Sequence, residues 1–249
     1  MSAEHETCQP LDHLHRRSLL KASGAITAMA FVGAGMLSSI AYADALTKAQ
    51  RDRLTPDDVL ALLKNGNKRF YTGKREDHNF LGQQRASAKG QYPAAVLLSC
   101  IDSRASAETI MDLRIGDIFN SRVAGNVENS DILGSMEFAC KLAGAKVVLV
   151  MGHTACGAIK GAIDNAELGN LTGLLAKIKP AVAATAYTGE RTSKNYAFVD
   201  AVARKNVEIT MANIRKDSPV LAEMESNGAV KIAGAMYNLE TGVVEFFAG

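Results

Sequence analysis

Two short apolar runs that end on reactive side chains constrain this fold more than any other feature. They are Ala94-Ala95-Val96-Leu97-Leu98-Ser99 and Lys146-Val147-Val148-Leu149-Val150-Met151-Gly152. Continuous runs of this length and β-branched content read as strands buried on both faces of a parallel sheet. The first runs straight into Cys100-Ile101-Asp102-Ser103-Arg104 and the second into His153-Thr154-Ala155-Cys156-Gly157. Both reactive segments therefore stand at strand C-termini. In open parallel sheets ligands gather beyond the carboxyl ends of the strands, so two such strands side by side would bring Cys100, His153 and Cys156 together.

Taken singly, each cysteine reads as a small buried hydrophobe, and the pair as a disulfide. The neighbours argue otherwise. His153 and Cys156 are three apart at the start of a helix, close enough to address one target, and two sulfurs with one imidazole are the donors zinc prefers. Three protein ligands leave the fourth tetrahedral position open, as catalytic zinc sites do and closed structural ones do not. The reading is one zinc per subunit on Cys100, His153 and Cys156. Asp102 is then either a fourth ligand or the acceptor that orients a metal-bound water. Arg104, two residues on, would lower the Asp102 pKa and fix its direction, which suits a permanent acceptor.

The remaining pattern is one α/β unit with a central, mostly parallel sheet flanked by helices, an N-terminal helical arm and C-terminal hairpin strands. Strands are expected at 94–99, 118–123 and 146–151, and helices near 105–113, 131–143, 157–165, 171–186 and 195–216. A short helix begins at Ser218-Pro219, and a hairpin of 229–239 and 243–247 turns at Glu240-Thr241-Gly242. The arm spans 45–73, with Thr55-Pro56-Asp57-Asp58 as a helix start. His78 reads as an exposed loop residue.

Residues 1–43 have a different character. Arg16-Arg17-Ser18-Leu19-Leu20-Lys21 opens a moderately apolar, Gly- and Ala-rich stretch to Ile40, and Ala41-Tyr42-Ala43 offers a small-x-small cleavage site. This reads as a twin-arginine export signal cut after Ala43, implying the export machinery as a partner, a periplasmic destination and no stable membrane anchor. Cleavage leaves 249 − 43 = 206 residues, 44–249, as a single catalytic domain. The net charge of +2 is unchanged by the cut, because Arg16, Arg17 and Lys21 balance Glu4, Glu6 and Asp12. Nothing in that balance speaks for nucleic acid. Cys100, Cys140 and Cys156 remain, an odd number that argues against a disulfide framework, and Cys140 reads as a core residue.

Cys-x-Asp-x-Arg followed about fifty residues later by His-x-x-Cys-Gly resembles the β-class carbonic anhydrases. So do Gly116-Asp117-Ile118-Phe119, Arg122-Val123-Ala124-Gly125-Asn126 and Gly134-Ser135-Met136-Glu137-Phe138-Ala139, and the similarity runs from about Thr55 to the C-terminus. The resemblance implies zinc-dependent, reversible hydration of carbon dioxide to bicarbonate in a homodimer or homotetramer. It implies zinc ligation by Cys100, His153 and Cys156 and an Asp102–Arg104 dyad acting on the metal-bound water. It also places Gln91, and backbone near Gly125, against substrate oxygens. Some members use a Trp in a bicarbonate side pocket. This chain has no Trp, which favours Asp102 held off the metal. Relatives with the same ligands hydrolyse carbon disulfide or carbonyl sulfide, and a zinc-stabilised binding or sensing protein and a redox dithiol protein are the other readings.

Overall fold

The computed structural model describes residues 45–248, and the leader read as an export signal lies outside them. Two capping boxes open the described residues. Thr47 with Gln50 starts α1 (Lys48–Arg53), and Thr55 with Asp58 starts α2 (Pro56–Tyr71), whose Pro56 needs no N–H partner at the first turn. The arm expected over 45–73 is therefore two helices, separated by extended backbone at Leu54. Next comes α3 (Phe80–Ser87), capped by Asn79. Sequence reading finds no helix there, because its polar composition carries little helical periodicity.

The chain continues through β1 (Ala95–Ser99), α4 (Ala107–Ile110), β2 (Ile118–Arg122), α5 (Ser130–Glu137), β3 (Val147–His153), α6 (Gly157–Ile163), α7 (Gly169–Ala184) and α8 (Tyr196–Asp217). It closes with α9 (Pro219–Ser226), β4 (Lys231–Tyr237) and β5 (Val244–Ala248). The sheet order is β2-β1-β3-β4-β5, with every pair parallel except the C-terminal β4–β5 hairpin. Side chains alternate across the sheet. Val96, Leu98, Val148 and Val150 pack under the layer that includes α6, α7 and α8, whereas Ala95, Leu97, Val147 and Leu149 pack against α2 and α4. β1 and β3 are covered on both faces, which is why their sequences are unbroken apolar runs. In register, Ser99 lies beside Arg122 on one side and Met151 on the other, so the C-terminal ends of β1, β2 and β3 share one edge.

Two expected helices are altered. The one near 131–143 is α-helical only to Glu137 and then widens into a π turn over Phe138–Leu142. The one near 105–113 shrinks to a single turn, because Asp112 takes a left-handed conformation (φ 47°) and leaves the helix. The buried Asp112 carboxylate accepts from Arg69 Nε (2.5 Å), Arg75 Nε (3.2 Å) and the Glu76 amide (3.1 Å), and lies 2.9 Å from His78 Nε2. His78 is thus no exposed loop residue: its side chain is 4% exposed and tied to Asp112.

Burial alone would raise the Asp112 pKa, but Arg69, His78, the Glu76 amide and Arg75 together hold it at about 2, below its ordinary 3.8. A carboxyl depressed by folding stabilises the protein above its unfolded pKa and loses that contribution as pH falls through the folded value. The difference is worth about 2 kcal/mol. The stability advantage of the native chain over Asp112→Asn is therefore expected to shrink by that amount between about pH 5 and pH 2, read by denaturant unfolding.

Candidate metal centre

Cys100 is the first residue beyond β1, and its backbone is gripped by an arginine at the end of the neighbouring strand. Arg122 donates from Nε to the Cys100 carbonyl (2.9 Å) and from Nη2 to the Asp102 carbonyl (2.5 Å), fixing the path of the 100–102 segment. The Cys100 sulfur accepts the Gly125 N–H at 3.4 Å. Gly125 is left-handed (φ 70°), and a Cβ there would stand 2.5 Å from Ile178 Cδ1, so the close approach to sulfur depends on glycine.

His153 is the last residue of β3 and is 1% exposed. Its Nδ1 lies 2.9 Å from the Thr154 carbonyl, which assigns the proton to that nitrogen and turns the Nε2 lone pair inward. Nε2 is buried without a hydrogen-bond partner, an arrangement that costs free energy unless something else takes the lone pair. Cys156 caps α6 and completes the set, its sulfur 4.0 Å from that of Cys100. Cys100, Cys140 and Cys156 are all free thiols.

The donor atoms of Cys100, His153 and Cys156 lie within 4.8 Å of one another, and all three residues are buried. Two sulfurs each about 2.3 Å from a tetrahedral zinc stand roughly 3.8 Å apart, close to the 4.0 Å observed. The charges agree with the geometry. The hydrogen bond from Cys156, against the effect of burial and with help from the Gly125 amide, pulls the Cys100 thiol down, and the same bond together with burial pushes Cys156 up. Two buried sulfurs that share one proton, beside an unused imidazole lone pair, fit a soft divalent cation. The residues therefore suit zinc.

Asp102 lies outside this trio. Arg104 holds it with three bonds: its backbone N–H (3.0 Å) and Nε (2.9 Å) to Oδ1, and Nη2 to Oδ2 (2.8 Å). The guanidinium, opposed only by partial burial, keeps the carboxyl far below the usual carboxylate range. Asp102 Oδ2 is 3.9 Å from His153 Nε2, so an ionised carboxylate borders the donor cluster.

Neither residue expected against substrate oxygens presents a free donor to the cluster within this protomer. Gln91 is exposed and precedes the N-terminal end of β1, whereas Cys100 follows its C-terminal end. A five-residue strand spans roughly 16 Å, so within one protomer Gln91 stands away from the cluster. The Gly125 N–H points at the Cys100 sulfur and is not free for a substrate oxygen. Sequence reading assigned no role to three residues that shape the site. They are Arg122, Asp200, which accepts the Ala155 N–H at 2.8 Å, and Asn206, which donates to the Gly125 carbonyl at 2.7 Å. Each acts on backbone, so residue type does not reveal which group it meets.

Comparison with known proteins agrees with this centre. A family model described as carbonic anhydrase matches residues 95–244. The chain is 35% identical to carbonic anhydrase 2 of Mycobacterium tuberculosis over 182 residues, 72% of this chain and 87% of that one. Among solved structures it is similar to the β-carbonic anhydrase CafA of Aspergillus fumigatus (27% identity, TM-score 0.57, covering 66% of this chain and 79% of that one). It is also similar to one of two tetrameric β-carbonic anhydrases from Sordaria macrospora (25% identity, TM-score 0.57, covering 65% and 84%). With a donor cluster at the C-terminal edge of a matching sheet and a family match over most of the described residues, the chain belongs to the carbonic anhydrase family, in its β class.

Proposed function

We propose that this chain catalyses the reversible hydration of carbon dioxide to bicarbonate and a proton, with one zinc ion held by Cys100, His153 and Cys156. The observation that carries the reading is the buried, unpartnered His153 Nε2 beside two free sulfurs. The relatives named carbonic anhydrase support it. A zinc ion in that cage supplies acidity, bringing the pKa of a water from about 15.7 towards 7 and so making a nucleophile available near neutral pH.

The chain's own groups do the rest. Asp102, kept ionised by Arg104, can only accept a hydrogen bond. Its Oδ2 holds the proton of the attacking oxygen and leaves that oxygen's lone pair facing the carbon of carbon dioxide. His153 gives its Nδ1 proton to the Thr154 carbonyl, which leaves the Nε2 lone pair as the one that would hold the metal. The Gly125 N–H withdraws charge from the Cys100 sulfur.

Stopped-flow carbon dioxide hydration on residues 44–249, with zinc measured in the same sample, tests the assignment. Turnover with stoichiometric zinc is expected. A zinc-loaded protein that ignores carbon dioxide but consumes carbon disulfide or carbonyl sulfide, run alongside, would move the substrate to those analogues. Protein isolated without metal and with Cys100 and Cys156 paired would make it a redox dithiol protein.

The same reading covers the leader and the assembly. Arg16-Arg17 and Ala41-Tyr42-Ala43 direct twin-arginine export to the periplasm with cleavage after Ala43. That route carries folded proteins, so zinc can be loaded before Cys100 and Cys156 meet an oxidising compartment. Replacing Arg16 and Arg17 with Lys is expected to leave uncleaved protein in the cytoplasm, seen by fractionation and immunoblotting; processed periplasmic protein at native levels refutes the route. The mature chain forms a homodimer or homotetramer. The tetrameric Sordaria macrospora proteins support this, as do the outer strands β2 and β5, which leave one ladder side open among the described residues. Sedimentation of the purified chain measures it.

A further inference from the structure

Helix α8 reaches both halves of the donor cluster through polar side chains that no motif singles out. Asn206 is 1% exposed and spends its amide on the Gly125 carbonyl at 2.7 Å. Gly125 in turn sends its N–H to the Cys100 sulfur. Six positions earlier on the same helix, Asp200 Oδ1 accepts the N–H of Ala155 at 2.8 Å. Ala155 lies between His153 and Cys156 and is left-handed at φ 56°, a conformation that a residue with a Cβ adopts only where its surroundings enforce it. The other side of that turn is held by the sheet, with Thr154 N–H donating to the Tyr237 carbonyl at 3.0 Å and Leu239 N–H to Thr154 Oγ1 at 3.0 Å. One left-handed residue, Gly125, therefore faces the Cys100 sulfur and another, Ala155, lies in the turn that leads to Cys156, and α8 holds a backbone polar group of each.

We propose that α8 is a brace that sets the relative placement of the Cys100 and Cys156 sulfurs, with Asn206 and Asp200 as positioning residues. Asn206 fixes the peptide that follows Gly125, and so keeps the Gly125 N–H aimed at Cys100. Asp200 fixes the turn that swings Cys156 back towards His153. Because one rigid helix carries both, a change at either position alters the angle between the two sulfurs and not merely one contact. The proposal rests on the metal site argued above and goes beyond it in naming what positions the ligands.

Cobalt(II) in place of zinc tests both layers separately, because its thiolate charge-transfer and ligand-field bands report ligand identity and geometry without reference to turnover. The native chain is expected to bind one cobalt with thiolate bands; if it binds none, the metal site itself fails. Asn206→Leu and Asp200→Ala are expected to bind cobalt with shifted bands and to release zinc to a chelator about ten-fold faster, the scale of losses outside the ligand shell. Asp200→Asn retains an oxygen acceptor for the Ala155 N–H and is expected to restore the native spectrum and a release rate within about three-fold of native. Native bands and native release in Asp200→Ala, with the native chain binding cobalt normally, overturn the brace and leave the metal site intact. Asp200 is only half-buried, so its two variants decide the matter even if Asn206→Leu does not fold.

Discussion

Replacing Cys156 with Ser is expected to remove the metal and the activity together. The Cys156 sulfur sits at the start of α6, 4.0 Å from that of Cys100, in a buried cluster whose third donor is the unpartnered Nε2 of His153. A serine hydroxyl is a harder and far weaker zinc ligand than a thiolate, and its shorter bond leaves the oxygen farther from the point the other two donors share. With one ligand lost, two donors remain, and the open position that makes such a site reactive becomes two. Elemental analysis is expected to show little zinc, and stopped-flow hydration a rate near background. A Cys156→Ser protein with full zinc and native turnover refutes the ligand set. Because Cys156 is 1% exposed, far-UV circular dichroism of the variant belongs beside both measurements, to separate loss of the ion from loss of the fold.

Asp102→Asn is expected to part metal from activity. Asp102 lies outside the trio of donors, so zinc is retained. The native carboxylate can only accept, whereas the amide of asparagine can donate, and Arg104 would favour the rotamer that leaves its oxygen on the guanidinium. That places an N–H where the attacking oxygen needs an acceptor and turns its lone pair away from the substrate carbon. Losses for a group outside the ligand shell run about 10- to 100-fold, and a drop of at least that size in kcat/KM with unchanged zinc content is the expected result. Arg104→Ala reaches the same phenotype by another path, since it releases a carboxylate 3.9 Å from His153 Nε2 to move onto the metal and close its open position. Native rates in both variants would make the dyad structural and leave the zinc site standing.

The chemistry of the centre was legible in the sequence because the identity of a donor atom is local. Cysteine, histidine and aspartate bring their ligating atoms wherever the chain puts them, and the apolar runs before Cys100 and His153 announced two doubly covered strands whose ends would meet. The hairpin around Glu240-Thr241-Gly242 and the caps at Thr55 and Ser218 were equally local, since each depends on neighbours within a few residues. α3 was missed for the complementary reason: its helicity rests on the Asn79 cap more than on any apolar stripe. Gln91, placed at the substrate by the family resemblance, stands away from the cluster within one protomer, because β1 stretches the intervening chain along the full depth of the sheet.

What the sequence determined by itself is thus which sulfur, imidazole and carboxylate groups stand at the strand ends and the parallel α/β frame, both of which follow from residue type and short-range periodicity, whereas the reaction was implied by the family resemblance. Only the tertiary structure decided that Arg122 grips the Cys100–Asp102 backbone, that the Gly125 N–H serves a sulfur, that His78 is locked onto Asp112, and that Asp200 and Asn206 reach the cluster from α8. Each of these is a hydrogen bond between groups distant in the chain, most of them to a peptide N–H or C=O. Every residue but proline carries the same peptide groups, so which one a side chain meets is fixed by packing and has no signature in the order of the amino acids.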